Sequence, residues 1–349
     1  MNRSAVRHTL RLLLLGVTLI TSPVVHAATL TEVAHADDTI WTTSAITPDG
    51  RLFVGATAAL GGSGPALSEI HGGTVAPFRL ADGTALPLTN MTGMTVADGA
   101  LWVLDNGILS VSPPAQHPAP RLLRIDLSSN TVARVYTLGP DATRPGSVLS
   151  GVAVHGDTAF VGDSGAAAII VIDLRAGSMK RFMENAPGVA AKHPIMIGGQ
   201  PLHLPDGGIA RPNVSMLALS PDGQWLYLQA PGGSLYRLGT PLLTDPMVTD
   251  IERQEGLTLW EMTGTLGGVA TGPDGTLYFA KPERHAIDSF TVGRIPATLL
   301  ADPRLTWPTG PAVGADGTVY VPVSRVDQSA AFKHAPAPAP SSVLFAIRP

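Results

Sequence analysis

The sequence predicts an all-β fold, a six-bladed β-propeller, and three observations lead to this prediction. The chain contains 38 Gly and 31 Pro and only 14% charged residues, a composition typical of many short strands joined by turns. Residues 217–238 read as three short strands separated by turns at 220–223 (SPDG) and 231–233 (PGG), because Pro presets φ for a turn and Gly accepts positive φ. The core of this pattern then recurs along the chain.

Five other stretches carry an apolar strand, an Asp/Gly turn and a second strand, spaced about 40 to 65 residues apart, close to the repeat of four-stranded propeller blades. They are residues 45–56, 95–105, 153–164, 270–281 and 312–324. Six copies predict six blades. Two stacked β-sandwich domains are the alternative.

The first 27 residues have the pattern of a secretory signal peptide. Arg3, Arg7 and Arg11 precede an apolar run at 12–20, and Val25-His26-Ala27 precedes the expected cleavage site. The run is too short for a membrane span, although an uncleaved anchor is an alternative. The expected mature protein is a single propeller domain, residues 28–349, in the periplasm or secreted. It would need no disulfides, because the chain has no Cys.

The charge balance argues against some partners. The net charge is -4, and loss of the three leader arginines makes the mature chain more acidic. This disfavours nucleic acid and anionic membranes as partners. We expect a monomer that binds a small molecule.

Each blade can be assigned in order along the chain. Residues 30–35 alternate like a strand and are expected to complete the last blade beside the C-terminal strand at 342–347. The predicted blades cover residues 41–80, 91–138, 149–182, 214–259, 267–300 and 309–347. The connection at 183–212, which carries His193 and His203, is long enough to line a site or to move. The Ala-Pro tract at 335–340 is expected to be a stiff spacer.

Polar and aromatic residues gather at one predicted face. In a propeller, the loop before the first strand of each blade and the loop after its second strand open on the same face. The ligand-binding candidates there are Trp41, Asn90, Asp105, Asp163, Asn213, Gln229, Lys281, Trp307 and Arg325. Trp41 and Trp307 would stack on an aromatic ligand, and the acids would accept its hydrogen bonds. For Asp105 and Asp163 the alternative is a turn in which the carboxylate bonds backbone N–H groups.

Several motifs resemble bacterial members of the major royal jelly protein and insect yellow family. They are LWVLDNG at 101–107, IDLSSNTVARVY at 125–136, GDSGAAAIIVIDL at 162–174, residues 218–238 and DPRLTWP at 302–308. The resemblance covers nearly all the mature chain and implies a secreted six-bladed propeller. It also implies a role in dopachrome conversion or in binding biogenic amines at the channel mouth, while most bacterial members have no established activity.

The sequence departs from the family at four polar positions of the channel mouth. Ser150-Gly151 replaces the usual Asn-Asp pair, and Gly267, Lys281 and Thr309 each replace an Asp. If the family's ligands depend on an acidic mouth, amine binding there is weaker in this chain.

Two kinds of function remain open besides binding. An enzyme would be a metal-assisted, gluconolactonase-like lactone hydrolase or a dopachrome-type tautomerase, with Glu283 and His285 as catalytic residues, since a His beside a carboxylate titrates near neutral pH. The few acids at the mouth make a metal site unexpected, and no cofactor is expected. The third function is a protein-docking platform, which a closed mouth would favour.

Overall fold

The computed structural model describes residues 28–108, 118–329, 331–333 and 341–349. The predicted signal peptide and the Ala-Pro tract at 335–340 lie outside these residues. The described chain forms six four-stranded antiparallel sheets and one two-stranded hairpin. The six-bladed β-propeller is therefore confirmed.

Each blade is a meander whose first strand is innermost. Blade 1 contains β2 (Trp41–Ile46), β3 (Leu52–Ala56), β4 (Leu67–His71) and β5 (Thr74–Pro77). Blade 2 contains β6 (Met91–Ala97), β7 (Ala100–Asp105), β8 (Arg121–Asp126) and β9 (Thr131–Thr137). Blade 3 contains β10 (Leu149–His155), β11 (Thr158–Asp163), β12 (Ala168–Asp173) and β13 (Met179–Phe182).

The second half of the ring repeats this order. Blade 4 contains β16 (Met216–Leu219), β17 (Trp225–Gln229), β18 (Leu235–Gly239) and β19 (Thr258–Glu261). Blade 5 contains β20 (Gly268–Thr271), β21 (Leu277–Lys281), β22 (Ala286–Phe290) and β23 (Pro296–Ala301). Blade 6 contains β24 (Ala312–Val313), β25 (Val319–Ser324), β26 (Ser341–Arg348) and, as its outer strand, β1 (Thr29–Asp37).

Two short α-helices, three single-turn 3-10 helices and a hairpin complete the described elements. Helices α1 (Pro241–Thr244) and α2 (Asp250–Gly256) connect β18 to β19, and the hairpin pairs β14 (Met196–Ile197) with β15 (Gln200–Pro201). In the part of the chain that the structure describes, neither helix has the length and apolar character needed to cross a membrane.

The recurring turn between the first and second strands has a local cause. In blade 4, Asp222 Oδ1 accepts hydrogen bonds from Ser220 Oγ (2.5 Å) and from the Gln224 amide (3.1 Å). Gly223 follows with φ of 68°, a conformation that costs Gly little. The side chain therefore replaces the backbone partners that the reversal removes.

The ring closes through the strand that the sequence predicted. Strand β1 pairs antiparallel with β26, from Thr29 opposite Arg348 to Asp37 opposite Ser341, with a bulge between Glu32 and Ala34. Buried Ser342 fastens this junction to blade 1, because its Oγ donates to Thr39 O (2.7 Å) and accepts from the Trp41 amide (2.9 Å). The N-terminal and C-terminal strands thus share one blade.

The hydrophobic core lies between neighbouring blades. One cluster joins Trp102 and Leu104 of blade 2 to Val152 and Ile170 of blade 3. The other blade interfaces have their own clusters. Each blade therefore depends on its neighbours for burial of its two faces.

Candidate functional site

The two ends of the channel differ and are named here by strand direction. The upper face is where the innermost strands begin and the second strands end, and the lower face is where the innermost strands end. All the ligand-binding candidates predicted from the sequence lie on the upper face or beside it.

The innermost strands approach closely at the upper face. A Cβ on Gly151 would collide with Ser215 O of the next blade, and a Cβ on Gly267 would collide with Pro308 O. Gly151 also has φ of 72° and lies at a bulge between β10 and β11. Two of the positions where the family carries an acid thus lack room for a side chain.

A segment crosses above this narrow region. We call residues 193–212 the cap segment; it leaves blade 3, forms the β14–β15 hairpin and returns to blade 4. Its Ile195 and Ala210 are buried in a cluster with Ile40, Trp307 and Val326. Those three partners belong to the blade 6 and blade 1 side of the ring, so the cap segment spans the upper face.

Further contacts hold the cap segment along its path. The Met196 amide donates to Thr265 Oγ1 at 2.9 Å. Gly232 in blade 4 lies so close to the carbonyl groups of His193 and Pro194 that a Cβ there would collide with them. The long connection that the sequence left unassigned therefore covers the mouth.

The buried carboxylate of Asp105 is engaged by the protein itself. It accepts hydrogen bonds from the amides of Asn90 (2.8 Å), Thr89 (3.1 Å) and Gly107 (3.2 Å). Arg121 on β8 adds an ion pair at 2.7 Å. These contacts fix the loops at the top of blade 2.

Asp163 repeats this arrangement in blade 3 and is more deeply enclosed. Its carboxylate accepts from Ser147 Oγ (2.5 Å) and from the amides of Val148 (3.0 Å) and Ala166 (2.9 Å). Arg181 on β13 pairs with it at 2.8 Å, and the two side chains are 0% and 1% exposed. Burial alone would raise the pKa of Asp163, but the hydrogen bonds from Ser147, Ala166 and Arg181 hold that pKa below its ordinary value.

The three amide candidates have comparable bridging contacts. Asn90 Oδ1 accepts from the Ala59 amide (3.0 Å), and Asn213 Oδ1 accepts from the Ala191 amide (3.0 Å). Gln229, which is fully buried, donates to Gly264 O at 3.0 Å. All three side chains connect neighbouring loops.

Both candidate stacking indoles are buried. Trp41 is 1% exposed and packs between blades 6 and 1, while Trp307 is 6% exposed beneath the cap segment. Neither presents a face to a ligand in this structure.

The two basic candidates also have partners. Lys281 Nζ donates to Thr263 O, and burial lowers the pKa of the Lys281 ammonium. Arg325 forms a two-bond ion pair with Asp327, both at 3.1 Å.

The structure does not bring the two catalytic candidates together. Glu283 and His285 are both exposed, on a short 3-10 turn between β21 and β22. His285 Nδ1 lies 3.0 Å from Leu305 O. Within the described ranges, no three His, Asp or Glu side chains form a group that could hold a metal ion.

A cavity within the channel opens at the lower face. It has a volume of about 480 Å³ and is lined by all six innermost strands, with Asp98 and His155 at its rim. The unpaired backbone edges of these strands line a propeller channel. One Asp from each first turn surrounds this end of the ring: Asp49, Asp98, Asp157, Asp222, Asp274 and Asp316.

The ring of turn carboxylates was not identified as a site from the sequence. The recurring Asp/Gly turns were used only to predict the number of blades. Because the turns of a propeller's first hairpins share one face, the same repeat also predicts six carboxylates around one end of the channel.

Comparisons with known proteins agree with this architecture. A family model described as major royal jelly protein matches residues 96–292. No curated protein sequence matches the chain.

Solved structures with the same fold include a gluconolactonase from Xanthomonas campestris (12% identity, 91% of this chain and 90% of that one, TM-score 0.55). Another is a putative oxidoreductase (glucose dehydrogenase) from Thermus thermophilus (15% identity, 92% and 100%, TM-score 0.53). A virginiamycin B lyase from Staphylococcus aureus is a third (15% identity, 84% and 81%, TM-score 0.50). At these identities the likeness shows the fold alone. The family model covers more than half of the sequence, and the chain therefore belongs to the major royal jelly protein family.

Proposed function

We propose that this protein is a binding module that holds a small aromatic or amine-like molecule in its central channel, reached from the lower face, without a catalytic metal. The observation that carries the proposal is the 480 Å³ channel, which opens at the end surrounded by one Asp from each blade. The upper face is less suited to a ligand, because the cap segment covers it and its polar side chains already bond to the protein.

The electrostatics of the lower face favour a cation. Hydrogen bonds within the turns hold the pKa values of Asp49, Asp222, Asp274 and Asp316 below the ordinary value, so these groups are charged at neutral pH. Asp157 is partly neutralised by Arg175 at 2.6 Å. A ring of like charge around a narrow opening concentrates counter-ions and raises the association rate of a cationic ligand.

The walls of the channel are mixed rather than apolar. Val152, Leu217 and Val269 line it together with Thr95 and other residues of the innermost strands. Val152 and Leu217 are largely buried between the blades, so the exposed wall is more polar than apolar and offers only small apolar areas to the body of a ligand. An aromatic amine would place its ring in the channel and its ammonium group near the carboxylates.

The test is calorimetric titration with tyramine and with tyrosol, which replaces the amine by a hydroxyl group. We expect tyramine to bind more tightly, and this preference to shrink as salt is added. Asp98→Asn should weaken tyramine binding about twofold, the effect of one charge roughly 8 Å away in water. Asp126→Asn is the matched control, because Asp126 occupies a similar turn between β8 and β9, farther from the channel. Equal binding of both compounds, or none, would overturn the proposal.

The absence of a catalytic metal needs its own measurement. Thermal melts of residues 28–349 in EDTA and then with excess Ca²⁺, Mn²⁺ or Zn²⁺ should coincide. A cation at 100 times its dissociation constant would add about 2.7 kcal/mol of stability and move the melt by a few degrees. Such a shift would restore the hydrolase alternative, for which loss of turnover in Glu283→Gln is then the decisive measurement.

We propose also that the protein is exported after cleavage before Ala28. Mass spectrometry of the protein from cell fractions of its host should find the mature N-terminus outside the cytoplasm. An intact N-terminus in the cytoplasmic fraction would contradict this.

A further inference from the structure

A stacked guanidinium lies in a groove between blades 4 and 5, away from the channel. Arg237 on β18 is held between the indoles of Trp225 on β17 and Trp260 on β19, with its Cζ 3.7 Å and 3.6 Å from the two ring centroids. Arg294 of blade 5 covers Trp260 at 4.7 Å and donates to its carbonyl at 2.9 Å. Both faces of the Arg237 guanidinium are therefore occupied, and only its edges remain for hydrogen bonds.

No carboxylate among the described residues pairs with those edges, and the acceptor that lies beside Arg237 is the neutral Tyr227 hydroxyl. Within the described ranges Arg237 forms no ion pair, and its Nε is enclosed without a hydrogen-bond partner. By contrast, Arg51, which also stacks on a ring, donates to Glu69 at 2.8 Å and to Leu127 O at 2.7 Å. Arg237 is half-buried, so its terminal nitrogens remain accessible and can donate charge-assisted hydrogen bonds to an acceptor that arrives with a ligand.

The surrounding groove has room for that ligand. Its volume is about 410 Å³, and Tyr227 and Phe290 lie among its lining residues beside the two indoles. Burial raises the pKa of the Tyr227 hydroxyl, which keeps it a neutral donor at neutral pH. Trp225 is 37% exposed and Val292 is 71% exposed at the opening. The groove thus combines two kinds of donor with apolar walls.

We propose that this groove binds a small monocarboxylate with an aromatic or apolar body. A carboxylate matches the free edge of a stacked guanidinium with two parallel hydrogen bonds, and the body packs on the indoles and Val292. Asp222 and Asp274 also line the groove; their negative charges repel any anion, and they repel a doubly charged one about twice as strongly as a monocarboxylate. This site goes beyond the proposed amine site in the channel and does not depend on it.

Calorimetric titration with 3-phenylpropionate tests the proposal, with 3-phenylpropan-1-ol as the uncharged analogue and phenyl phosphate as the doubly charged one. We expect the carboxylate to bind at least about tenfold more tightly than either analogue, the effect of one charged hydrogen bond. Arg237→Met should remove this preference. Arg124→Met should keep it, because Arg124 has the corresponding place on β8 but stacks on one ring only, Trp102, at 5.9 Å.

Two milder variants keep the test decisive if Arg237→Met fails to fold. Arg237→Lys retains the charge but loses the paired geometry, and Tyr227→Phe removes one donor; each should weaken 3-phenylpropionate binding. Asp98→Asn in the channel should leave it unchanged. Equal binding of acid and alcohol, no binding of the acid, or full binding by Arg237→Lys and Tyr227→Phe would overturn the proposal and leave the stack a purely structural contact.

Discussion

Arg181 donates a 2.8 Å hydrogen bond to the carboxylate of Asp163, and almost none of either side chain is exposed to solvent. The pair joins the last strand of blade 3 to the end of its second strand. Arg181 also donates to Ala142 O at 2.8 Å and to Ala166 O at 2.5 Å. A residue predicted to receive a ligand is thus part of an internal network that fixes the upper loops.

The first prediction concerns this pair. Asp163→Asn should destabilise the fold by about 3 to 5 kcal/mol, because it leaves the Arg181 charge buried without its counter-ion. Asp105→Asn is the matched comparison and should cost less, since its partner Arg121 is 28% exposed and retains water. Urea unfolding of both variants measures the difference. A loss of less than ~1 kcal/mol in Asp163→Asn would contradict the network.

The second prediction is the acid response of the same group. The folded-state pKa of Asp163 is below its ordinary value of 3.8, so the folded protein binds this proton less readily than the unfolded chain. The stability from Asp163 is therefore present above the ordinary value and is lost as pH falls through the folded value. Urea midpoints measured from pH 6 downward should fall more steeply in the wild type than in Asp163→Asn. Parallel curves would contradict the assignment.

The third prediction concerns ring closure. Ser342→Ala should destabilise the protein by about 2 to 5 kcal/mol, because it leaves the Trp41 amide and the Thr39 carbonyl without partners in a buried site. Ser341→Ala should have little effect, since Ser341 is exposed. Thermal melts of the two variants provide the measurement. Equal melting temperatures would show that the β1–β26 ladder alone holds the ring closed.

The fourth prediction concerns the close approach of the innermost strands at the upper face. Gly151→Ala and Gly99→Ala both place a side chain at positive φ, 72° and 70°, which costs about 1 kcal/mol or more. Only Gly151→Ala adds a collision, with Ser215 O, since nothing lies within 4 Å of a Cβ on Gly99. We expect Gly151→Ala to lose at least about 1 kcal/mol more in urea unfolding. Equal losses would show that the strands can separate without cost.

The sequence predicted the blades and their closure because the signals for them are local. An Asp/Gly turn forms its hydrogen bonds within the turn itself, as at Asp222. The alternation of residues along β1 predicts a strand without knowledge of its partner β26. The predicted blade boundaries agree with the strands to within a few residues.

The contacts of the candidate site residues were harder to predict, because their partners are distant in the sequence. Arg121 and Arg181 reach Asp105 and Asp163 from outer strands, and the cap segment meets Trp307 more than 90 residues further along the chain. Nothing in the local pattern around these acids indicates that their lone pairs are already engaged. The turn motif at each did indicate backbone hydrogen bonds, and the structure has them.

The last prediction tests whether the cap segment closes the upper face. Gly232→Ala adds a methyl group that would collide with the carbonyl groups of His193 and Pro194, so the hairpin must move away from blade 4. We expect faster hydrogen exchange and faster proteolytic cleavage within residues 193–212, because the buried contacts of Ile195 with Trp307 weaken when their anchor shifts. Gly139→Ala is the control, since nothing lies within 4 Å of a Cβ there.

The outcome also bears on which end of the channel a ligand uses. If the cap segment seals the mouth, loosening it leaves tyramine binding through the lower face unchanged while exposing residues 193–212. If Gly232→Ala instead strengthens binding severalfold, the ligand enters from the upper face, because removing a cover raises the fraction of binding-competent molecules. Unchanged exchange in residues 193–212 would mean that the hairpin does not depend on blade 4 for its position.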